Sequence, residues 1–263
     1  GVGDDVLQPG AGVIGVHAPV IEEQVVVLFS FAVAPDRGVH HVQLQIDPSC
    51  TAAYLQRASL YRRMDNMEKA MEDLSDAVNT NPQAAVDAYQ IRAMVHFSRG
   101  NLVDAVADFE QYIAFKGINP PPEHLESLRR LSRSALEKKD FLEALTFLEK
   151  LLFYIPNLKV DTVYAEAYER RGTMNLDRND VEGAIRDLTT ALALNPMSAE
   201  AYAARAVASS CLGSYETAIK DFEKALSIKP TIALGEEYAA AFQGRGLQRF
   251  QSGDIEGAFK DLN

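Results

Sequence analysis

Apolar residues in the second half of the chain recur three and four positions apart, in paired runs separated by polar turns and closed by proline. Two stretches show this most fully: YERRGTMNLDRNDVEGAIRDLTTALALNP, from Tyr168 to Pro196, and YAARAVASSCLGSYETAIKDFEKALSIKP, from Tyr202 to Pro230. Displaced by 34 residues they coincide at Tyr168 and Tyr202, Arg171 and Arg205, Ala184 and Ala218, Asp187 and Asp221, Ala191 and Ala225, Pro196 and Pro230. The spacing predicts amphipathic helices in pairs, because a 3.6-residue period gathers apolar side chains on one stripe. Proline cannot continue a helix, so it ends the second helix of each pair. Small residues, Gly172 or Ala206 on the first helix and Ala184 or Ala218 on the second, fall where the two must approach closely.

From Thr51 the pattern can be laid down six times, starting at Tyr54, Tyr89, Leu128, Tyr168, Tyr202 and Phe242. Alanine holds the close-approach site of every second helix: Ala70, Ala105, Ala144, Ala184, Ala218 and Ala258. A larger side chain there costs about 1–3 kcal/mol of overpacking. Successive starts are 35, 39, 40, 34 and 40 residues apart, so the extra residues near 117–125, 157–165 and 231–239 predict longer turns or added helical turns. Self-similarity at this period is the mark of a helical repeat array. With its aromatic, small and proline positions, the pattern resembles the tetratricopeptide repeat (TPR) family. The resemblance implies an all-α fold, an α-solenoid coiled as a right-handed superhelix of about six helix-turn-helix repeats. Their expected bounds are 51–84, 86–119, 125–158, 165–198, 199–232 and a cut-off 239–263, after a divergent segment at 1–50.

An internal comparison predicts one contact. Five units carry arginine three residues after the aromatic start and aspartate sixteen residues further on: Arg57 and Asp73, Arg92 and Asp108, Arg171 and Asp187, Arg205 and Asp221, Arg245 and Asp261. The third unit has lost both and carries Leu131 and Phe147. Joint loss predicts that the two positions touch, as an ion pair joining the helices of a unit, since either partner alone would be a stranded charge.

Composition narrows the function. A formal net charge of −11 argues against a general nucleic-acid binder. Two cysteines, Cys50 and Cys211, form neither a disulfide framework nor a metal cluster, and read as thiols in a reducing compartment, taken as the cytoplasm. The first forty residues contain no lysine and are broken by Pro9, Pro19 and Pro35. Gly10-Ala11-Gly12-Val13-Ile14-Gly15 has the letters of a dinucleotide loop, but Pro9 stands where a strand should lead in and Pro19 interrupts the helix that should follow. The apolar run Val25–Val33 is flanked by Glu22 and Glu23 rather than by basic residues, and is too short for the ~20 residues of a membrane span. It is expected to be a buried strand or helix, and Leu44–Pro48 to be the last turn of an incomplete repeat. The chain starts at Gly1 and stops at Asn263 inside a second helix, as expected of a piece of a longer protein.

No constellation for catalysis emerges. His17, His40, His41, His96 and His124 are scattered, and His40-His41 has no partners at metal-ligand spacing. No enzyme activity, cofactor or metal is therefore expected. The TPR resemblance implies instead a protein-interaction scaffold or adaptor, in which the first helices line a concave groove for a peptide or partner helix. That groove would draw on Arg62, Arg63, Gln90, Ile91, Met94, Phe97, Arg129, Arg130, Arg133 and Arg170. Arg129 and Arg133 share a helix face, and guanidinium forks suit carboxylate or phosphate, so an acidic or phosphorylated segment is the expected ligand, with Ile91, Met94 and Phe97 taking an apolar side chain. The competing reading is a solvated basic face pairing with Glu126 and Glu137. Family members that clamp the C-terminal carboxylate of Hsp70 or Hsp90 use lysine and asparagine at fixed first-helix sites. The matching sites carry Leu55, Ser59, Ile91, Glu126 and Arg130, or Glu169, Thr173, Ala204, Ala240 and Gly244, so that clamp is not expected. The rival readings are a regulatory or targeting domain of a larger enzyme, and a structural segment that self-associates.

Overall fold

The structure, a computed structural model, describes residues 39–263. The glycine-rich motif, the run Val25–Val33 and His17 lie outside the described residues. Among those described, regular structure is helical throughout, with no strand. The helices are α1 (Val39–Ile46), α2 (Thr51–Arg63), α3 (Met67–Thr80), α4 (Val86–Arg99), α5 (Leu102–Lys116), α6 (Pro122–Glu137), α7 (Phe141–Tyr154), α8 (Ala165–Asp177), α9 (Val181–Leu194), α10 (Ala199–Cys211), α11 (Tyr215–Ile228), α12 (Gly235–Gln251) and α13 (Ile255–Leu262). The chain divides into two compact units, one ending at Arg92 and one running from Ala93 to Asn263. In the first, α2 packs on α3 and α1 packs on α2; in the second, α6 to α13 pack in chain order as helix hairpins, each on the next.

The turns inside the hairpins follow one rule. Asp65, Gly100, Lys139, Asn179, Gly213 and Gly253 occupy the same register and all have positive φ. Glycine, asparagine and aspartate enter that region readily; Lys139 is the residue that does so against its own Cβ. The next residue starts the second helix. Asn66, Asp140, Asp180 and Asp254 accept backbone N–H bonds from Lys69, Glu143, Gly183 and Gly257 at 2.9–3.3 Å, satisfying donors the helix itself leaves open.

The extra residues between units resolve into two devices. First helices α6 and α12 begin several residues earlier relative to their Leu128 and Phe242 than the others do to theirs. Before α8 a 3-10 turn, Thr162–Tyr164, is capped by Asp161 instead.

Small residues set the distance within a hairpin. Ala70, Ala105, Ala144, Ala184 and Ala218 are wholly buried. A Cβ at Gly172 would come within 2.7 Å of Leu188 Cγ, so α8 lies on α9 as closely as glycine allows. What buries a second helix is the hairpin after it. Ile219 and Phe222 on α11 are 2% and 0% exposed beneath α12, whereas Phe259 and Leu262, their counterparts on α13, are 70% and 50% exposed. Each unit thus completes its core only against a neighbour.

The arginine–aspartate contact is present and does more than join two helices. Arg57, Arg171, Arg205 and Arg245 donate through Nε and Nη2 to both carboxylate oxygens of Asp73, Asp187, Asp221 and Asp261, at 2.6–2.8 Å. These carboxylates are only 3–9% exposed. The same guanidinium groups, and that of Arg92, lie 5.1–5.8 Å above the aromatic ring one turn earlier. The remaining nitrogen reaches the preceding repeat: Arg92 Nη1 donates to Ser75 Oγ at 3.2 Å, Arg205 Nη1 to Thr189 Oγ1 at 3.4 Å, and Arg171 Nη1 pairs with Glu149 at 2.6 Å. Hydrogen bonding to aspartate drives Arg171 and Arg245 still higher than an ordinary guanidinium, and the Arg245 bond holds the Asp261 carboxyl below its usual range. In the third repeat Leu131 and Phe147 instead pack on the buried cluster of Val106, Leu128 and Leu151.

A candidate protein-binding face

Two sets of arginines stand out in the second unit. Those just described are half-buried and bidentate. A second set projects from first helices: Arg129, Arg130 and Arg133 on α6, and Arg170 on α8. Their partners are exposed and loosely held. Arg129 Nη1 donates to Glu126 at 3.2 Å, Arg170 is 3.6 Å from Glu166, and Arg133 is 3.9 Å from Asp161. The side chains of Arg133 and Arg170 are both 63% exposed. Exposed pairs of this sort are worth about 0–1 kcal/mol, so an incoming anion can exchange with them at little cost. The Arg129–Glu126 pair is also what a solvated face makes.

The apolar residues named from sequence separate into two sorts. Met94 is exposed, but Phe97 is half-buried against Ala93, Ala105 and Phe109 and lies 6.0 Å beneath the Arg130 guanidinium. Phe97 therefore supports the basic face by holding Arg130 over its ring, a cation–π contact of about 0.5–1 kcal/mol at an exposed site. In the first unit Arg62, Arg63 and Gln90 are exposed and Ile91 is half-buried.

Sequence reasoning missed a cleft beside Arg170. Lys139, Asp140, Phe141 and Leu142, from the α6–α7 turn and the start of α7, face Arg170, Thr173, Met174 and Asp177 of α8 across a space of about 540 Å³. Asp140 is committed to capping α7, and the Thr173 hydroxyl donates to the Glu169 carbonyl at 2.6 Å. The rest of the lining is apolar, from Phe141, Leu142 and Met174, with Lys139 and Arg170 as cations and Asp177 as an anion. Among the described residues no His, Cys, Asp or Glu cluster could hold a metal ion, and no helix is long and apolar enough to cross a membrane.

Paired helices stacked in chain order, each hairpin burying the one before, call for comparison with known helical repeats. Two tetratricopeptide repeat profiles match, one over residues 170–233 and one over residues 51–83. This is a tetratricopeptide repeat protein. Solved structures similar to it include the TPR domain of P58(IPK), 20% identical, covering 93% of this chain and 71% of that one with a TM-score of 0.33. A MamA protein is 24% identical, covering 67% and 91% with a TM-score of 0.35. YrrB, described as a TPR protein with an unusual peptide-binding site, is 17% identical, covering 75% and 95% with a TM-score of 0.29. No curated protein sequence matches the chain. As a tetratricopeptide repeat protein it has a protein-interaction role.

Proposed function

We propose that this protein is a non-catalytic scaffold or adaptor that holds an acidic or phosphorylated segment of a partner protein on the first-helix face of its second unit. Arg129, Arg130 and Arg133 of α6 are the anchors, with Arg170 of α8 beside them. Within the same unit Met94 supplies exposed apolar surface. The observation that carries the reading is the division of labour among arginines. Those that hold the fold, Arg171 on α8 among them, are spent in bidentate pairs with buried aspartates, whereas Arg129, Arg133 and Arg170 face solvent against exposed carboxylates that a ligand can replace. Guanidinium favours phosphate and carboxylate because its planar donors match two acceptor oxygens at once.

Fluorescence anisotropy with labelled octaglutamate, octalysine and a phosphoserine-containing acidic peptide tests this. The acidic and phosphorylated probes bind and octalysine does not. The triple substitution Arg129→Glu, Arg130→Glu and Arg133→Glu, which touches exposed or half-exposed side chains only, weakens binding by about tenfold or more. Unchanged affinity in a triple variant whose circular dichroism matches the parent refutes the assignment.

A further inference from the structure

The last two repeats show one way in which a cleft like that beside Arg170 is filled. Between repeats five and six the equivalent turn is closed onto the following first helix. The Tyr215 ring lies against Gly244, where any Cβ would collide with it, and Gln248 Nε2 donates to the Gly213 carbonyl at 3.0 Å. The corresponding residues of repeats three and four are Phe141 for Tyr215, Arg170 for Gly244, Met174 for Gln248 and Lys139 for Gly213. Arg170 puts a side chain where Gly244 has none, so Phe141 cannot settle on α8 as Tyr215 settles on α12. Methionine cannot donate to the turn as glutamine does. Phe141 turns inward instead and packs on the cluster of Leu145, Leu148, Tyr164 and Tyr168. The cleft of about 540 Å³ between turn and helix is what remains.

We propose that this cleft receives an aromatic side chain from the bound partner segment, in the space that Tyr215 fills two repeats later, with an acidic neighbour of that residue meeting Arg170 or Lys139. The inference rests on the reading of the α6 and α8 face as a binding surface for acidic segments, and it adds a specificity pocket to it. An aromatic ring suits the lining: Phe141, Leu142 and Met174 offer apolar and sulfur contacts, and thioether–aromatic contacts are favourable. The polar groups on the wall are already engaged, at Asp140 and Thr173, or carry charges that reach past the ring to its flanking residues. A side chain delivered by a peptide therefore fits better than a free polar ligand, which would need convergent unsatisfied groups to orient it.

The test uses the whole chain labelled with 13C-methyl methionine and 15N, titrated with two peptides, acetyl-Glu-Tyr-Glu-amide and acetyl-Glu-Ala-Glu-amide. The tyrosine peptide shifts the Met174 methyl through its ring current, leaves Met64 unmoved, and binds about tenfold more tightly than the alanine peptide, as expected for burying one ring in an open cleft. Thr173→Trp, at an exposed position on the cleft wall, plugs the space and abolishes the Met174 response to the peptide. Amides of residues 129–133 still shift in that variant. A Met174 methyl that ignores the tyrosine peptide while those amides respond to both peptides overturns the cleft and leaves the basic face standing. Silence at both places removes the basic face as well. A Met174 shift that grows with protein concentration alone shows a second copy in the cleft and overturns the proposal.

Discussion

His124 stands where repeats four and six carry Tyr164 and Tyr238, four residues before the start of each repeat. Its side chain is wholly buried, edge-on to Phe109 at 5.8 Å and to Tyr154 at 5.3 Å, with neither ring nitrogen hydrogen-bonded among the described residues. Burial lowers its pKa below that of a free imidazole. Glu110 on α5 pulls the other way and Lys150 on α7 pushes with it, and those two pair with each other at 2.7 Å. The folded chain therefore binds fewer protons than the unfolded one as pH falls below about 6.5, and stability declines through that window, by at most about 1.4 kcal/mol per pH unit for this one group. His124→Phe, which restores the aromatic character of the sister repeats, should leave stability at pH 8 equal or higher and flatten the decline below pH 6.5. Urea denaturation of both proteins from pH 8 to pH 5 checks it; parallel curves would show that His124 is not a source of acid sensitivity. Sequence could place this histidine but not weigh it, because its cost depends on aromatic rings from α5 and α7 closing over it.

At the scale of helices, the third repeat is a natural double mutant of the arginine–aspartate pair. Leu131 and Phe147 occupy those two positions as part of an apolar cluster, which predicts the outcome of moving them into repeat four. Arg171→Leu alone leaves Asp187, 9% exposed, with only Asn175 as a side-chain donor, and should cost about 3 kcal/mol. Asp187→Phe alone strands Arg171 against Glu149 and should cost a similar amount. Together they should cost less than either one, because an apolar pair of similar volume needs no desolvated charge. Chemical denaturation in a double-mutant cycle measures this coupling, and additive losses would mean that the pair does not act as a unit. The contact was legible in the sequence because repetition superposes equivalent positions, so correlated loss in one repeat foretells the contact made by Arg57, Arg171, Arg205 and Arg245 in theirs. The Arg bond to the preceding repeat was not legible, since its acceptor changes from Ser75 to Glu149 to Thr189 while the donor stays the same. The cleft was hidden for a related reason: it is walled by Phe141 from one hairpin and Arg170 and Met174 from the next, which no spacing within a single repeat brings together. The spacing irregularities foretold added length, but whether it becomes helix or turn is local. Pro120 to Pro122 start α6 early because proline is tolerated in a first turn, while Asp161 caps a 3-10 turn before α8.

Over the whole molecule, a formal charge of −11 stands against a local basic face, and the two act over different distances. At 0.1 M salt the Debye length is about 10 Å, so an acidic segment approaching from farther away meets a screened net repulsion and senses Arg129, Arg130 and Arg133 only on close approach. Lowering the salt extends the reach of the repulsion and slows encounter; the same change strengthens the docked arginine–anion contacts and slows release. Salt dependence of affinity should therefore reside in dissociation. In stopped-flow measurements with an acidic peptide between about 0.05 and 0.3 M salt, kon should change by less than about twofold and koff should rise about fivefold. A ligand steered by a dominant basic field behaves the opposite way, with kon falling steeply as salt is added. Observing that pattern would mean that the arginines of α6 and α8 govern the far field despite the acidic chain around them, and that the basic face attracts its partner before it recognises it.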